Sequence, residues 1–183
     1  MEELDLIAIV AERLHHLDVS YMVTGSVASS YYGVPRATHD IDLVVAITVN
    51  DLHPLEDAFH EDFYVSDMES AMKHQQMFNL IHQASQLKLD CWVLRRNEEY
   101  HRASFGRRRQ IVLGGIEVSM IAPEDLIVSK LLWHRESPSD VHLRDIRGIM
   151  KVQGSMLDRR YLDSWCQNLS IASLWNELKL DLS

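Results

Sequence analysis

The chain has 183 residues, 46% of them hydrophobic and 25% charged, which is ordinary globular usage and sets aside disorder, collagen and coiled coil. Its length suits one domain, or one domain with a small appendage. With 18 Lys+Arg against 27 Asp+Glu the net charge is −9, which argues against a protein that binds nucleic acid over its whole surface.

Apolar residues at helical spacing over Leu4–Leu14 predict a first helix. Tyr21-Met22-Val23 reads as a short strand that ends at the turn signal Thr24-Gly25-Ser26. Val27–Tyr32 then reads as a helix closed by Gly33, followed by a loop over Val34–His39 and a strand over Ile41–Ile47. Asp51–His60 is predicted helical, and Gln76–His82 and Gln86–Leu94 are predicted strands. Gln110–Leu113 and Ile116–Met120 flank Gly114-Gly115, the pattern of a two-residue hairpin. Pro123-Glu124-Asp125 starts a helix, with Pro at its first position and acids in its first turn. Helices are predicted at 124–135, 140–152, 159–168 and 171–179, with no strand after Pro123. The expected fold class is therefore α/β (α+β), a mixed sheet flanked by helices and followed by a C-terminal helical segment. The expected division is 1–121 and 122–183.

The acidity is confined to one half. Residues 1–90 hold 4 basic and 15 acidic residues, a net of −11, and residues 91–183 hold 14 and 12, a net of +2. Either the acids serve solubility or some of them form a site for cations. Cys91 and Cys166 lie far apart in no metal-ligand spacing, so neither a zinc site nor a disulfide framework is expected. The first residues lack the basic start and apolar core of a signal peptide, and no apolar run approaches the ~20 residues that span a bilayer. A cytoplasmic protein without membrane contact is expected.

The informative segment is Gly25-Ser26 followed by Asp40-Ile41-Asp42-Leu43. Aspartates at i and i+2 on a strand share one face, while Ile41 and Leu43 turn to the other. Paired carboxylates repel and call for a cation, and hard oxygen ligands favour Mg²⁺ or Mn²⁺. Asp90 sits in the middle of Leu87–Val93, where a carboxylate is unfavourable unless paired or ligating. Three such acids on neighbouring strands can hold two ions roughly 3.5–4 Å apart, the arrangement that supports phosphoryl or nucleotidyl transfer. Gly25 and Ser26 then open a helix whose N–H groups hold phosphate oxygens. Singly each element has an ordinary reading: a turn and cap, a sheet edge facing water, a satisfied core carboxylate.

Gly25-Ser26, then Asp40-x-Asp42, then Asp90 resembles the nucleotidyltransferase superfamily with the polymerase-beta-like fold. The stretch from Gly25-Ser26 through Gly33-Val34-Pro35-Arg36-Ala37-Thr38-His39 to Asp40-Ile41-Asp42 is similar to the AbiEii/MenT-type branch, small bacterial nucleotidyltransferases that include toxins of toxin–antitoxin pairs. The resemblance covers roughly residues 20–150. It implies a metal-dependent enzyme with Asp40, Asp42 and Asp90 as catalytic and metal-binding residues. The reaction it implies moves a nucleoside monophosphate from a nucleoside triphosphate (NTP) to a hydroxyl on tRNA, protein or a small molecule. A cognate antitoxin is an implied partner.

A Lys after Pro-x-Asp-Leu and an Asp on the next helix belong to the same resemblance: here Lys130 and Asp145. It implies that Lys130 contacts nucleotide phosphates and that Asp145 orients Lys130 or the nucleotide. On the residues alone, Lys130 falls on a largely apolar helix face and Asp145 shares a stripe with Val141 and Ile149, which equally describes an interhelical salt bridge. Arg36 and Thr38 stand in the loop before the aspartates, where they either reach the nucleotide or, for Arg36, brace the loop through a carboxylate. His39 adjoins the aspartates on the other strand face. Finally, Arg95, Arg96, Arg102, Arg107, Arg108 and Arg109 against Glu98 and Glu99 give a stretch of net +4, interleaved with Tyr100, His101 and Phe105. It reads either as a site for a phosphate-rich acceptor such as RNA or as a solvated hairpin edge. The competing functional class is a catalytically silent module of the same fold that binds a nucleotide or a partner.

Overall fold

The computed structural model describes residues 2–37 and 40–180. The chain divides into two compact units: a sheet unit, residues 1–27 and 37–120, and a helical unit, residues 28–36 and 121–183. The helical unit thus takes in a segment that precedes most of the sheet in sequence.

The sheet unit begins with α1 (Glu3–His16), whose Leu6, Ile7, Val10, Ala11 and Leu14 recur at helical spacing and are buried. Glu3 and Asp5 occupy its first turn and Arg13, His15 and His16 its last, each sign at the end the helix dipole favours. Seven strands follow among the described residues: β1 (Tyr21–Thr24), β2 (Asp40–Val45), β3 (Phe63–Val65), β4 (Met77–His82), β5 (Lys88–Val93), β6 (Arg109–Leu113) and β7 (Ile116–Met120). They form one sheet in the order β3-β4-β5-β2-β1-β7-β6. The β2–β5 and β1–β7 pairs are parallel and the rest antiparallel, so the sheet is mixed. Gly114 and Gly115 both take positive φ in the β6–β7 turn, as a tight hairpin needs.

Alternation on β2, β4 and β5 is strict. Ile41, Leu43, Val45, Phe78, Leu80, Leu89, Cys91 and Val93 are buried on one face. Leu14 of α1, Leu55 and Phe59 of α3 (Leu52–Phe59) and Met68 of α4 (Met68–His74) meet Val45, Phe78, Leu80 and Cys91 there. This core leaves the polar residues of the same strands on the opposite face. Arg13 fastens α1 to the start of β3 with two 2.7 Å bonds to Asp62, its guanidinium 5.2 Å from the Phe59 and Phe63 ring centres.

The helical unit holds α6 (Pro123–Glu136), α7 (Asp140–Gln153), α8 (Arg159–Asn168) and α9 (Ala172–Leu180). Leu126, Ile127, Val128 and Leu131 of α6 are fully buried, as are Ile146 and Ile149 of α7 and Leu162 and Cys166 of α8. The acids in the first turn of α6 also brace the unit: Glu124 accepts the Asp158 amide at 3.1 Å and Asp125 accepts the Tyr161 hydroxyl at 2.6 Å. Trp175 and Lys179 of α9 both donate to Asp163 of α8, at 2.6 and 2.8 Å. Both cysteines are unpaired and buried. Among the described residues, no helix is long and apolar enough to cross a membrane.

Three elements go beyond the sequence expectation. β3 has three residues and is read only through its pairing with β4. The helix α4 is capped by Asp67, whose side chain accepts the Ser70 amide at 2.8 Å. The helix α5 (Glu99–Gly106) falls inside the arginine-rich stretch, where no helix was predicted.

Candidate active site

The sheet unit gathers the three predicted acids on its polar face. β2 and β5 run parallel with Asp42 opposite Asp90 and Asp40 opposite Lys88. Directly paired residues on neighbouring strands point to the same side, and i and i+2 on one strand do so too. Asp40, Asp42, Lys88, Asp90 and Trp92 therefore form one patch, joined across β4 by Asn79, which pairs with Asp90. The strand order is what creates it, because residues 48 positions apart become neighbours only when β5 lies beside β2.

The patch has an internal counter-ion. Lys88 Nζ lies 3.0 Å from Asp90 Oδ1 and 3.1 Å from Oδ2, and 4.0 Å from Asp40 Oδ1. Its pKa is raised, first by the Asp90 hydrogen bond and further by the charges of Asp90, Asp40 and Asp42, against an opposing effect of burial. Asn79 Nδ2 also donates to Asp90 Oδ1 at 2.6 Å, and Trp92 Nε1 donates to Asp42 Oδ1 at 3.3 Å. Asp90 is the sheltered acid, its side chain 14% exposed, and Asp40 the open one at 65%. Spacing alone did not single out Lys88, Asn79 or Trp92. Lys88 and Trp92 are nevertheless placed by the period-two rule, two residues on either side of Asp90.

Gly25 shapes the edge of the patch. It follows β1 with φ +64°, a conformation that other residues adopt with strain. A Cβ there would come within 2.7 Å of Asp42 Cγ and 2.8 Å of its Cβ, so the turn lies directly against the carboxylate. Gly25 opens α2 (Gly25–Tyr32), and the Ser26 hydroxyl donates to the Asp40 carbonyl at 2.9 Å, tying this helix start to the acid-bearing strand. Gly25→Ala is expected to destabilise the protein by about 1–3 kcal/mol and to displace Asp42. Urea unfolding beside Ser26→Ala, which adds no Cβ at that position, measures the effect.

The acids suit a hard divalent cation in kind, since all are carboxylate oxygens on one face. Among the described residues, however, no three His, Cys, Asp or Glu side chains already converge as a metal cage.

Arg36, Lys130 and Asp145 come together within the helical unit. Lys130 Nζ donates to Asp145 Oδ2 at 2.8 Å with side chains 3% and 5% exposed. Arg36 donates to both Asp145 oxygens at 3.1 Å. Burial alone would raise the Asp145 pKa, but the hydrogen bonds from Arg36 and Lys130 outweigh it and hold the carboxyl below its usual range. Asp145 thus engages both cations, a geometry common to a braced loop with an interhelical ion pair and to an Asp145 that orients Lys130. Thr38 and His39 lie outside the described residues.

Along the arginine stretch, Arg95, Arg96, Arg102 and Arg109 are exposed and Arg107 and Arg108 are half-buried. Arg95 pairs with Glu98 at 3.3 Å, while Arg96 and Arg102 each donate to a main-chain carbonyl. Arg108 lies over the Phe105 ring, and Arg109 begins β6. Tyr100 and Phe105 are buried on α5, so neither ring is presented for base stacking. The aromatic interleaving seen in sequence is the apolar face of a short helix.

The whole chain is similar to several solved structures. An antigenic nucleotidyltransferase-like protein from Paracoccidioides brasiliensis matches with a TM-score of 0.62 and 17% identity, over 96% of this chain and 91% of that one. The fold is nucleotidyltransferase-like. The antibiotic-resistance factor ANT(2'')-Ia matches at 0.64 and 15% identity, over 96% of this chain and 97% of its own. The lincosamide antibiotic adenylyltransferase LnuA, solved with lincomycin, matches at 0.56 and 13%, over 83% and 98%. No protein-family model and no curated protein sequence matches the chain. At these identities the likeness speaks for the nucleotidyltransferase-like architecture alone.

Proposed function

We propose that the protein is a metal-dependent nucleotidyltransferase, moving a nucleoside monophosphate from an NTP to an acceptor hydroxyl. The observation that carries this reading is the register of Asp42 against Asp90, with Asp40 on the same face and Gly25 packed against Asp42. Two of the similar structures agree with it in kind: LnuA is an adenylyltransferase, and ANT(2'')-Ia has been solved with adenylyl-2''-tobramycin.

In this reading Asp40 and Asp42 hold Mg²⁺ or Mn²⁺. Bound there, the cation supplies positive charge that offsets the triphosphate and polarises its phosphoryl oxygens. The amides at the start of α2 face phosphate oxygens, as helix N-termini do. Asp90 takes the proton of the acceptor hydroxyl. The acceptor oxygen forms a bond to the α-phosphorus, the bond from that phosphorus to the bridging oxygen breaks, and pyrophosphate leaves with the electron pair. Lys88 and Asn79 hold the Asp90 carboxylate in place across the patch.

The test is incubation with each α-labelled NTP in turn, with Mg²⁺ or Mn²⁺ and a cell extract. Label is expected in one acceptor fraction from the wild type. No labelled RNA, protein or metabolite under any condition overturns the transfer reading in favour of a silent nucleotide-binding module.

A further inference from the structure

The sheet unit holds a polar cavity of about 150 Å³ where the end of α1, the start of β1 and the β6–β7 hairpin meet, with His15, Asp18, Tyr21, Arg108, Gln110 and Ser119 in its lining. A single water needs roughly 10–15 Å³, so the space admits a molecule of several heavy atoms. The cavity lies apart from the acid patch. Tyr21 begins β1 opposite Val45, whereas Thr24 ends it opposite Asp42. Tyr21 is therefore at the far end of the strand from the Gly25 turn and on the other face from the acids.

Two buried donors in this lining lack an acceptor. Tyr21 is 2% exposed, yet its hydroxyl has no hydrogen-bond partner among the described residues, and neither has the buried Nε of Arg108. The Ser119 main chain opposes the rise that burial gives the Tyr21 pKa, as a neighbouring N–H does, and an N–H accepts no proton from the hydroxyl. Gln110 and Ser119 are joined to each other, Nε2 to Oγ, at 2.7 Å. The rest of the Arg108 guanidinium is fixed: it donates to the Phe105 carbonyl at 2.8 Å and its carbon lies 4.4 Å from the Phe105 ring centre. A held arginine edge beside a phenol suits a carboxylate, which brings two acceptor oxygens in one plane. The α1 side of the cavity has the opposite preference. The helix ends at His16 and the chain turns through the exposed Asp18. A helix C-terminus and a carboxylate both favour a cation and disfavour a second negative charge on the ligand.

We infer that this cavity binds a small α-amino acid, its carboxylate accepting from Arg108 Nε and the Tyr21 hydroxyl and its ammonium facing Asp18. The site is separate from the acid patch and stands whether or not that patch performs transfer.

The test titrates the isotope-labelled full chain with L-alanine, with propionate, which lacks the ammonium, and with ethylamine, which lacks the carboxylate. Nuclear magnetic resonance follows the Arg108 Nε–H signal, assigned by its loss in Arg108→Lys. L-alanine is expected to shift that signal to saturation and to bind about tenfold or more tighter than either comparison. Tyr21→Phe keeps the ring and is expected to weaken L-alanine by about tenfold or more. Asp18 has a φ of +55°, which asparagine also tolerates. Asp18→Asn is therefore expected to keep the turn and to lower L-alanine to the affinity of propionate. Circular dichroism and the thermal midpoint verify each fold, and if Tyr21→Phe does not fold, the exposed Asp18 position carries the test alone. A shift still linear at about 20 mM L-alanine marks a cavity filled by water only and overturns the inference. Propionate binding as tightly as L-alanine overturns it too, as does L-alanine affinity unchanged in either folded variant.

Discussion

Asp145→Asn is expected to destabilise the protein by about 3–5 kcal/mol, a fall in Tm of roughly 10 °C for a chain of this length. The substitution keeps the shape of the side chain and removes only its charge. The Lys130 ammonium, 3% exposed, then stays buried beside a neutral amide. Arg36 loses the same carboxylate, although with its side chain 29% exposed it can turn toward water. Replacing the pair together, with Lys130→Met and Asp145→Leu, is expected to be far milder, because an apolar pair leaves no buried charge unmatched. A double-mutant cycle by urea unfolding isolates the coupling.

The same pair sets an acid limb. The Asp145 carboxyl titrates below its ordinary value in the folded chain. The unfolded chain therefore binds the proton more readily, and stability rises with pH through this window. The contribution is complete above the unfolded value of about 4 and is lost as pH falls through the lowered folded value. Asp145→Asn flattens that limb, which a series of unfolding curves from pH 6 downward detects.

The larger functional effect is expected at Asp42. Asp42→Asn should lower nucleotidyl transfer by about 10³-fold and leave the fold unchanged. Asp42 lies on the polar face of β2, while its neighbours Ile41 and Leu43 carry the packing, at 0% and 2% exposure. An asparagine oxygen still accepts from Trp92 Nε1, so the local hydrogen bond survives. Only the negative charge facing the developing site is lost.

Much of this was legible in the sequence because period is a strong signal. The alternation Ile41, Leu43, Val45 against Asp40 and Asp42 fixes which face of β2 packs, and the helices from Pro123 onward announce themselves by caps and apolar spacing. β3 was not legible, since three residues carry no period of their own and its place depends on β4. The helix α5 was obscured by its arginines, whose charge reads as solvent while Tyr100 and Phe105 hold the buried side.

The acids of the candidate site were visible as costly residues in apolar runs. Their surroundings were not, because Asn79 meets Asp90 only through strand register, a long-range property absent from local spacing. The Lys130–Asp145 pair was visible as two charges on buried-looking faces.

In the proposed function Asp40 and Asp42 hold the cation that accompanies the nucleoside triphosphate. Mn²⁺ binding followed by electron paramagnetic resonance, with and without a non-hydrolysable NTP, tests it most directly. The wild type should take up Mn²⁺ more tightly when the nucleotide is present, and Asp42→Asn should lose that uptake while keeping the wild-type circular dichroism spectrum. Equal Mn²⁺ uptake by the wild type and a folded Asp42→Asn would contradict the account.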